Sequence, residues 1–182
     1  METKVRMDIE TRLILHRTSR EQLKEGIPVM TKGEGVRVFD QDGKCYLDLV
    51  SGVTRPVHVG YGRKEIAQAV YDQICELSYF TPMQFANVPA IHLANRLAEI
   101  APGKINKFFF VCDGSEAVES AIKFARHYHY YRGEKKLYKI ISRRGAYHGV
   151  TTGALNVLGT VRSQNPLFLF DAESLPSASG DP

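Results

Sequence analysis

The pattern of apolar and polar positions changes its period along the chain. Residues 35–49, GVRVFDQDGKCYLDL, alternate between apolar and polar side chains on both sides of Asp42 and Gly43. A period of two is typical of a half-buried strand, and an Asp-Gly pair between two such runs favours a tight turn. The segment is therefore predicted to form an antiparallel β-hairpin.

Helical spacing follows the hairpin. Residues 63–77 carry apolar side chains at intervals of four, four and three, namely Ile66, Val70, Ile74 and Leu77. This spacing predicts an amphipathic helix with one face packed on a core. A second helix is predicted to begin at Pro89, a residue type favoured at the first helical position, and to stop before Pro102 and Gly103.

Two short, largely apolar runs come next, KFFFVC at 107–112 and LYKIIS at 137–142. Each is predicted to form a buried strand. Helical patterns follow the two runs, from about Ser115 to Tyr131 and from Val150 to Leu158. The order strand, helix, strand, helix predicts parallel crossovers and an α/β fold. Beyond Arg162 the pattern weakens, and residues 163–182 are predicted to form a disordered tail.

Composition narrows the function classes. The 182 residues carry a formal net charge of +4 with scattered basic residues, which argues against a nucleic-acid partner. No stretch approaches the roughly 18 apolar residues of a membrane span, and the charged first thirty residues do not resemble an export signal. The chain has three widely spaced cysteines, which predict neither a disulfide framework nor a metal site. We expect a cytoplasmic protein without a membrane partner.

The first candidate site is the junction at Asp113, Gly114 and Ser115, where an apolar run meets a helical pattern. The first amides of a helix lack intrahelical partners and lie at the positive end of its dipole, so such a junction favours an anion. A purely structural role is equally compatible with the local sequence, because Asp113 could simply cap the helix.

The second candidate site follows the next predicted strand, in the segment RRGAYHGVTTGAL at 143–155. Tyr147 is placed to lie flat against a planar ligand ring whose phosphate binds at Gly114 and Ser115. His148 alone would be an ordinary loop histidine. The two motifs together favour a phosphorylated ring ligand.

At these motifs the sequence resembles the class III aminotransferases, which are fold-type I pyridoxal-phosphate enzymes. The resemblance is carried by YLDLVSG at 46–52, VGYGRKEIAQAV at 59–70, GSEAVESAIKFAR at 114–126 and RGAYHGVTTGAL at 144–155. It implies a three-layer α/β large domain with a mostly parallel sheet, here incomplete. It also implies that residues 1–60 form a small-domain segment with the hairpin and that residues 61–162 begin the large domain.

The resemblance also implies roles for individual residues. Gly114 and Ser115 would bind the phosphate of pyridoxal 5'-phosphate, Tyr147 would stack on its ring, and His148 would support it. Val53, Thr54 and Arg55 would border the substrate pocket, and residues 79–82 would reach a partner subunit in a homodimer. The chain departs from many members at Asp113, where Ser or Asn is common. A carboxylate there repels a phosphate unless it turns away to cap the helix.

The resemblance implies amino transfer between an amino donor and a 2-oxo acid. No lysine of this chain matches the Schiff-base lysine of the family, so we expect a truncated chain that does not transaminate by itself. Two alternatives remain open at the level of sequence. One is an aminomutase of the same family, and the other is a non-catalytic module that binds a ligand or another subunit.

Overall fold

The computed structural model describes residues 13–16, 18–143 and 145–158, and the backbone of residues 173–175. The chain divides into two compact units, Met1–Asn87 and Val88–Pro182. The domain boundary after residue 60, which the resemblance implies, stays a prediction. Within the first unit, a backbone bridge joins residues 35 and 61. Gly35 N–H donates to the Tyr61 carbonyl at 3.1 Å, and Tyr61 N–H donates to the Gly35 carbonyl at 2.8 Å.

The first unit contains a three-stranded antiparallel sheet. Its strands are β1 (Met30–Glu34), β2 (Arg37–Asp40) and β3 (Cys45–Leu47), in that order. The predicted hairpin is confirmed, because β2 pairs with β3 across the Asp42-Gly43 turn and Val38 lies opposite Tyr46. Strand β1 was not predicted from the sequence.

The turn of this hairpin is held by Asp40, whose side chain is buried at 8% exposure. Its carboxylate accepts the N–H groups of Asp42 at 3.0 Å and Lys44 at 2.9 Å, and the Tyr46 hydroxyl at 2.8 Å. These bonds, first of all that of Tyr46, lower the pKa of Asp40. Gly43 has a φ of 81°, a value that glycine adopts without steric cost.

Helix α1 (Arg20–Glu25) was also absent from the sequence predictions. It begins with a capping box, in which the Ser19 hydroxyl accepts Gln22 N–H at 3.2 Å and the Gln22 side chain accepts Ser19 N–H at 2.8 Å. Each side chain satisfies an amide that the helix leaves without a partner. A helix of only six residues carries too little periodicity to be found by spacing.

The predicted helices α2 (Lys64–Leu77) and α3 (Val88–Ile100) are confirmed within one residue at most ends. The expectation that α2 packs on a core is wrong for the described residues, because its apolar side chains are half exposed. Their exposed fractions are 45% for Ile66, 53% for Val70, 57% for Ile74 and 44% for Leu77. Among the described residues, no helix is long and apolar enough to cross a bilayer.

The second unit contains α3, α4 (Gly114–Tyr131), β4 (Ile141–Arg143), α5 (Thr152–Asn156) and β5 (Glu173–Leu175). Strands β4 and β5 pair in parallel, with Ile141 opposite Glu173. This pair is parallel, as expected for a mostly parallel sheet, but the crossover predicted from the run at 107–112 to the run at 137–142 is not formed among the described residues. Strand β5, however, lies within residues 163–182, where the sequence predicted no regular structure. Helix α4 ends where Gly133 takes a φ of 78°, as its glycine predicts.

The predicted buried strand at 107–112 is not formed among the described residues. Phe109 and Phe110 are 66% and 46% exposed, and Phe109 packs edge-to-face on Phe124 of α4 with ring centroids 5.4 Å apart. A strand needs a neighbour with which to share hydrogen bonds, and no described strand pairs with this run. The buried apolar side chains of the described residues, Ala154 and Val157, lie in and after α5.

Candidate functional site

The N-terminus of α4 is fixed by two carboxylates. Asp113 has an extended backbone and its side chain accepts Glu116 N–H at 2.9 Å, so it caps the helix. The Glu116 side chain in turn accepts Cys112 N–H at 2.9 Å. Asp113 therefore has the structural role that its sequence allowed, and its carboxylate is turned toward the helix.

Two amide groups at this helix end remain available. Within the part of the chain that the structure describes, the N–H groups of Gly114 and Ser115 have no acceptor. The helix that follows is 18 residues long, and its dipole adds a partial positive charge at these amides. The local structure therefore suits an anion with oxygen atoms that can accept both hydrogen bonds.

The Ser115 hydroxyl joins this helix end to the loop that carries the second motif. Its Oγ accepts Val150 N–H at 3.2 Å, a contact between residues 35 positions apart. Because the oxygen accepts this bond, the hydroxyl hydrogen is left to donate to another group. The structure thus brings the two sequence motifs together at Ser115.

Gly149 allows the close approach of the loop to the helix. It is buried and has a φ of 135°. A Cβ added here would lie 2.7 Å from Ser115 Oγ and 3.0 Å from Ser115 Cα. Any larger residue would push the loop away from the helix end.

Tyr147 and His148 lie just before this contact. The Tyr147 side chain is 64% exposed and His148 is half-buried. Among the described residues neither side chain makes a hydrogen bond or a ring contact, so the Tyr147 ring has a face open to a ligand.

Glu119 is a site neighbour that the sequence analysis missed. Its carboxylate accepts Gly153 N–H at 2.6 Å, at the start of α5. The sequence could have predicted this position, because Glu119 comes four residues after Ser115 and residues four apart lie on the same face of a helix.

Val53, Thr54 and Arg55 lie in the first unit, in a loop with unusual backbone angles. Val53 has a φ of 64° and Arg55 a φ of 69°. Positive φ is rare for a β-branched residue such as valine and is found most often where the surrounding structure enforces it. Asp48 holds the loop, since its carboxylate accepts the N–H groups of Val50 at 3.0 Å and Gly52 at 2.6 Å.

Residues 79–85 form an exposed aromatic segment in the same unit. Phe80 and Phe85 pack edge-to-face with ring centroids 4.9 Å apart. Tyr79 and Met83 are 74% and 77% exposed. The segment therefore offers apolar surface to solvent within its unit.

Comparison with known families identifies the chain. The family model described as Aminotransferase class-III matches residues 19–178. The chain belongs to the class III aminotransferases. The match covers the hairpin, the α4 junction and the loop at Tyr147, and it extends into residues 163–178, which the sequence analysis assigned to a disordered tail.

Individual aminotransferases and transaminases are similar to most of this chain. A probable aminotransferase, Rv3329 of Mycobacterium tuberculosis, is 47% identical over 148 residues, which are 81% of this chain and 30% of that protein. A transaminase structure from the marine bacterium Virgibacillus has a TM-score of 0.85 at 33% identity, covering 93% of this chain and 39% of the other. The chain therefore spans about a third of these relatives' length.

A third relative bears on the cofactor. The ω-transaminase of Pseudomonas jessenii, solved in complex with PMP, has a TM-score of 0.83 at 26% identity over 93% of this chain and 38% of that one. The class III transaminase family is pyridoxal-phosphate dependent. The two amides and the hydroxyl at the start of α4 fit the phosphate of such a cofactor, because all three can donate to it.

Proposed function

We propose that the chain binds pyridoxal 5'-phosphate at the start of α4 and belongs to an enzyme that transfers an amino group between an amino donor and a 2-oxo acid. The observation that carries the proposal is the contact of Ser115 with Val150, at 3.2 Å. This contact places three potential phosphate donors beside the loop that holds Tyr147. Neither motif alone would supply both a phosphate site and an aromatic ring.

In this proposal the chain's own residues bind and orient the cofactor. The N–H groups of Gly114 and Ser115 and the Ser115 hydroxyl hold the phosphate. Tyr147 covers one face of the ring, and His148 lies beside it. When bound, the cofactor supplies an electron sink for the bonds that break at the amino carbon.

A separate proposal concerns the substrate pocket. We propose that Val53, Thr54 and Arg55 border the substrate pocket, and the positive φ angles of Val53 and Arg55 support a functional role. The three cysteines are free, which suits a reducing compartment, and we propose a cytoplasmic location.

A proline substitution tests the phosphate site directly. Gly114 is the first residue of α4 and follows an extended Asp113, a position and a neighbour that proline accepts well. Gly114→Pro removes one amide donor and should preserve the helix. Gly114→Ala is the matched control, because it keeps the amide and a Cβ there has no neighbour within 4 Å.

Cofactor affinity is measured by titrating the purified protein with pyridoxal 5'-phosphate. Gly114→Pro should weaken binding by about 1.5–3 kcal/mol, the range for a hydrogen bond to a charged group. Gly114→Ala should bind as tightly as the wild type. Equal affinities for all three proteins would rule out the phosphate site at this helix end.

The ring site is tested by Tyr147→Ala. Loss of the stacked ring should weaken cofactor binding by roughly 1–3 kcal/mol. Ser115→Ala should cost less, since the backbone donors remain. The control is Tyr131→Ala, an exposed tyrosine at the far end of α4. Amino transfer is assayed with several amino donors and pyruvate or 2-oxoglutarate. Because no lysine of these 182 residues matches the Schiff-base lysine of the family, we expect cofactor binding without turnover. Turnover that is abolished by replacing one particular lysine would contradict this expectation.

A further inference from the structure

Helix α5 begins without a side-chain cap of its own. Its N-cap residue is Thr151, which makes no capping hydrogen bond. The missing acceptor comes from α4. Glu119 Oε1 accepts Gly153 N–H at 2.6 Å and Ala154 N–H at 3.3 Å. Glu119 therefore performs across two helices what an N-cap residue usually does within one.

The space around Glu119 is shaped for this contact. A Cβ added at Gly153 would overlap the Glu119 carboxylate. Only glycine lets the carboxylate reach the backbone of α5. The carboxylate is the flexible end of its side chain, so a larger residue at 153 would displace Glu119 before it displaced the backbone.

Glu119 binds the start of α5 as an anion. Its pKa is lowered, first by the neighbouring Thr151 hydroxyl and then by the N–H groups of Gly153 and Ala154. The Thr151 geometry falls short of a hydrogen bond, and its buried Oγ1 has no partner among the described residues. A carboxylate at this helix end is also favoured by the dipole.

We propose that Glu119 is a positioning residue for the cofactor ring. Ser115 anchors the loop at Val150, and Glu119 anchors it again at Gly153 and Ala154. Both anchors lie on one face of α4, four residues apart. Together the two anchors fix the short segment that follows Tyr147. The Tyr147 ring is therefore held in one place relative to the phosphate donors at the start of α4. The inference rests on the proposed cofactor site.

A double-mutant cycle separates positioning from general structural damage. Glu119→Ala should lower pyridoxal 5'-phosphate affinity roughly 3- to 30-fold, the range expected for losing a helix cap. In a Tyr147→Ala background the same change should lower affinity less than about twofold, because the ring that Glu119 positions is gone. Affinity for inorganic phosphate should also change less than about twofold.

Two further variants keep the test decisive if Glu119→Ala folds poorly. Glu119→Gln keeps an acceptor oxygen and should recover part of the lost affinity. Gly153→Ala should behave like Glu119→Ala, because it displaces the carboxylate. Glu134→Ala is the control, since Glu134 pairs with His129 and Arg132 at the opposite end of α4. The circular dichroism of the bound cofactor reports directly on how firmly its ring is held.

The outcomes distinguish failure of the proposed cofactor site from failure of the positioning role of Glu119. A wild-type protein that does not bind the cofactor overturns the proposed function. A wild-type protein that binds it, with equal losses from Glu119→Ala in both Tyr147 backgrounds, overturns the positioning role alone. Unchanged affinity in both Glu119→Ala and Glu119→Gln also overturns it.

Discussion

At the scale of single residues, Asp113 combines a helix cap with a negative charge beside the proposed phosphate site. Its carboxylate accepts Glu116 N–H, which turns it toward the helix but leaves its charge in place. Asparagine caps a helix about as well as aspartate does and carries no charge.

We therefore expect Asp113→Asn to tighten phosphate and cofactor binding several-fold at low salt, with a smaller gain at high salt because ions screen the repulsion. Isothermal titration calorimetry at two ionic strengths measures the gain in affinity at low salt and at high salt. Asp113→Ala separates the effects, since it removes the charge and also the cap, and should destabilise the fold by about 0.5–2 kcal/mol. Weaker binding by Asp113→Asn would contradict the expected repulsion.

A second residue-scale prediction concerns two glycines in one loop. Gly145 and Gly149 both have positive φ, at 71° and 135°. A Cβ at Gly145 would have no neighbour within 4 Å, whereas one at Gly149 would meet Ser115 and Ala154. Both alanine variants carry a backbone cost, and only Gly149→Ala adds an overlap.

Gly149→Ala should therefore destabilise the protein by about 1–3 kcal/mol more than Gly145→Ala. It should also weaken cofactor binding, because the loop moves away from Ser115. Thermal denaturation and cofactor titration of the two variants give the comparison. Equal stabilities would mean that the loop relaxes without cost.

At the scale of elements, the loop after β3 is held by one carboxylate. The Tyr61 hydroxyl donates to Asp48 at 2.8 Å and is the largest cause of the lowered pKa of Asp48, followed by Gly52 N–H and Val50 N–H. The same bond is the largest cause of the raised pKa of Tyr61. The bond thus links the loop of Val53 to the segment that precedes α2.

This bond predicts how stability depends on pH. A lowered folded-state pKa of Asp48 contributes stability above the unfolded value of about 3.9, which is lost as pH falls through the folded pKa. A raised pKa of Tyr61 contributes stability below about pH 10, which is lost as pH rises through the folded pKa. The contribution should therefore be largest between these limits.

The measurement is the melting temperature of wild type and Tyr61→Phe from pH 2 to 11. Their difference should be greatest near neutral pH and should shrink at both ends. Tyr71→Phe is the matched control, because Tyr71 is an exposed tyrosine of α2. The difference in melting temperature between Tyr71→Phe and wild type should be small and independent of pH. A Tyr61→Phe difference independent of pH would show that the hydroxyl does not act through Asp48.

At the scale of the whole molecule, we expect a homodimer. The exposed apolar surface of residues 79–85 suits burial against another subunit. Charging two exposed members of this segment, Tyr79→Glu with Met83→Glu, should shift the dimer toward monomer. Tyr131→Glu is the control, since Tyr131 is 83% exposed in the other unit.

Multi-angle light scattering across a range of concentrations gives the oligomeric state. A strictly monomeric wild type would contradict the expectation. A dimer that survives both charges in residues 79–85 but not Tyr131→Glu would place the contact elsewhere.

The sequence alone determined the features that depend on neighbours along the chain. The alternation around Asp42-Gly43 predicted the hairpin, and apolar spacing predicted α2, α3 and α4. Both patterns are local, because the period of a strand or a helix decides which nearby side chains share a face. The sequence also allowed Asp113 to cap the helix, as one of two interpretations; the other was an anion-binding site at the start of the helix. The motifs at Gly114 and Tyr147 also identified the family, since they are specific short patterns.

Only the tertiary structure decided what depends on residues distant in sequence. The contact of Ser115 with Val150, the fit of Gly149, and the cap that Glu119 gives α5 all join positions about 34 residues apart. The same limit explains the wrong expectations. The run at 107–112 is apolar enough for a buried strand, but a strand also needs a paired neighbour, and burial needs a covering layer. The residue types show that this run favours burial in a sheet, whereas the surrounding chain decides whether a neighbouring strand and a covering layer are present.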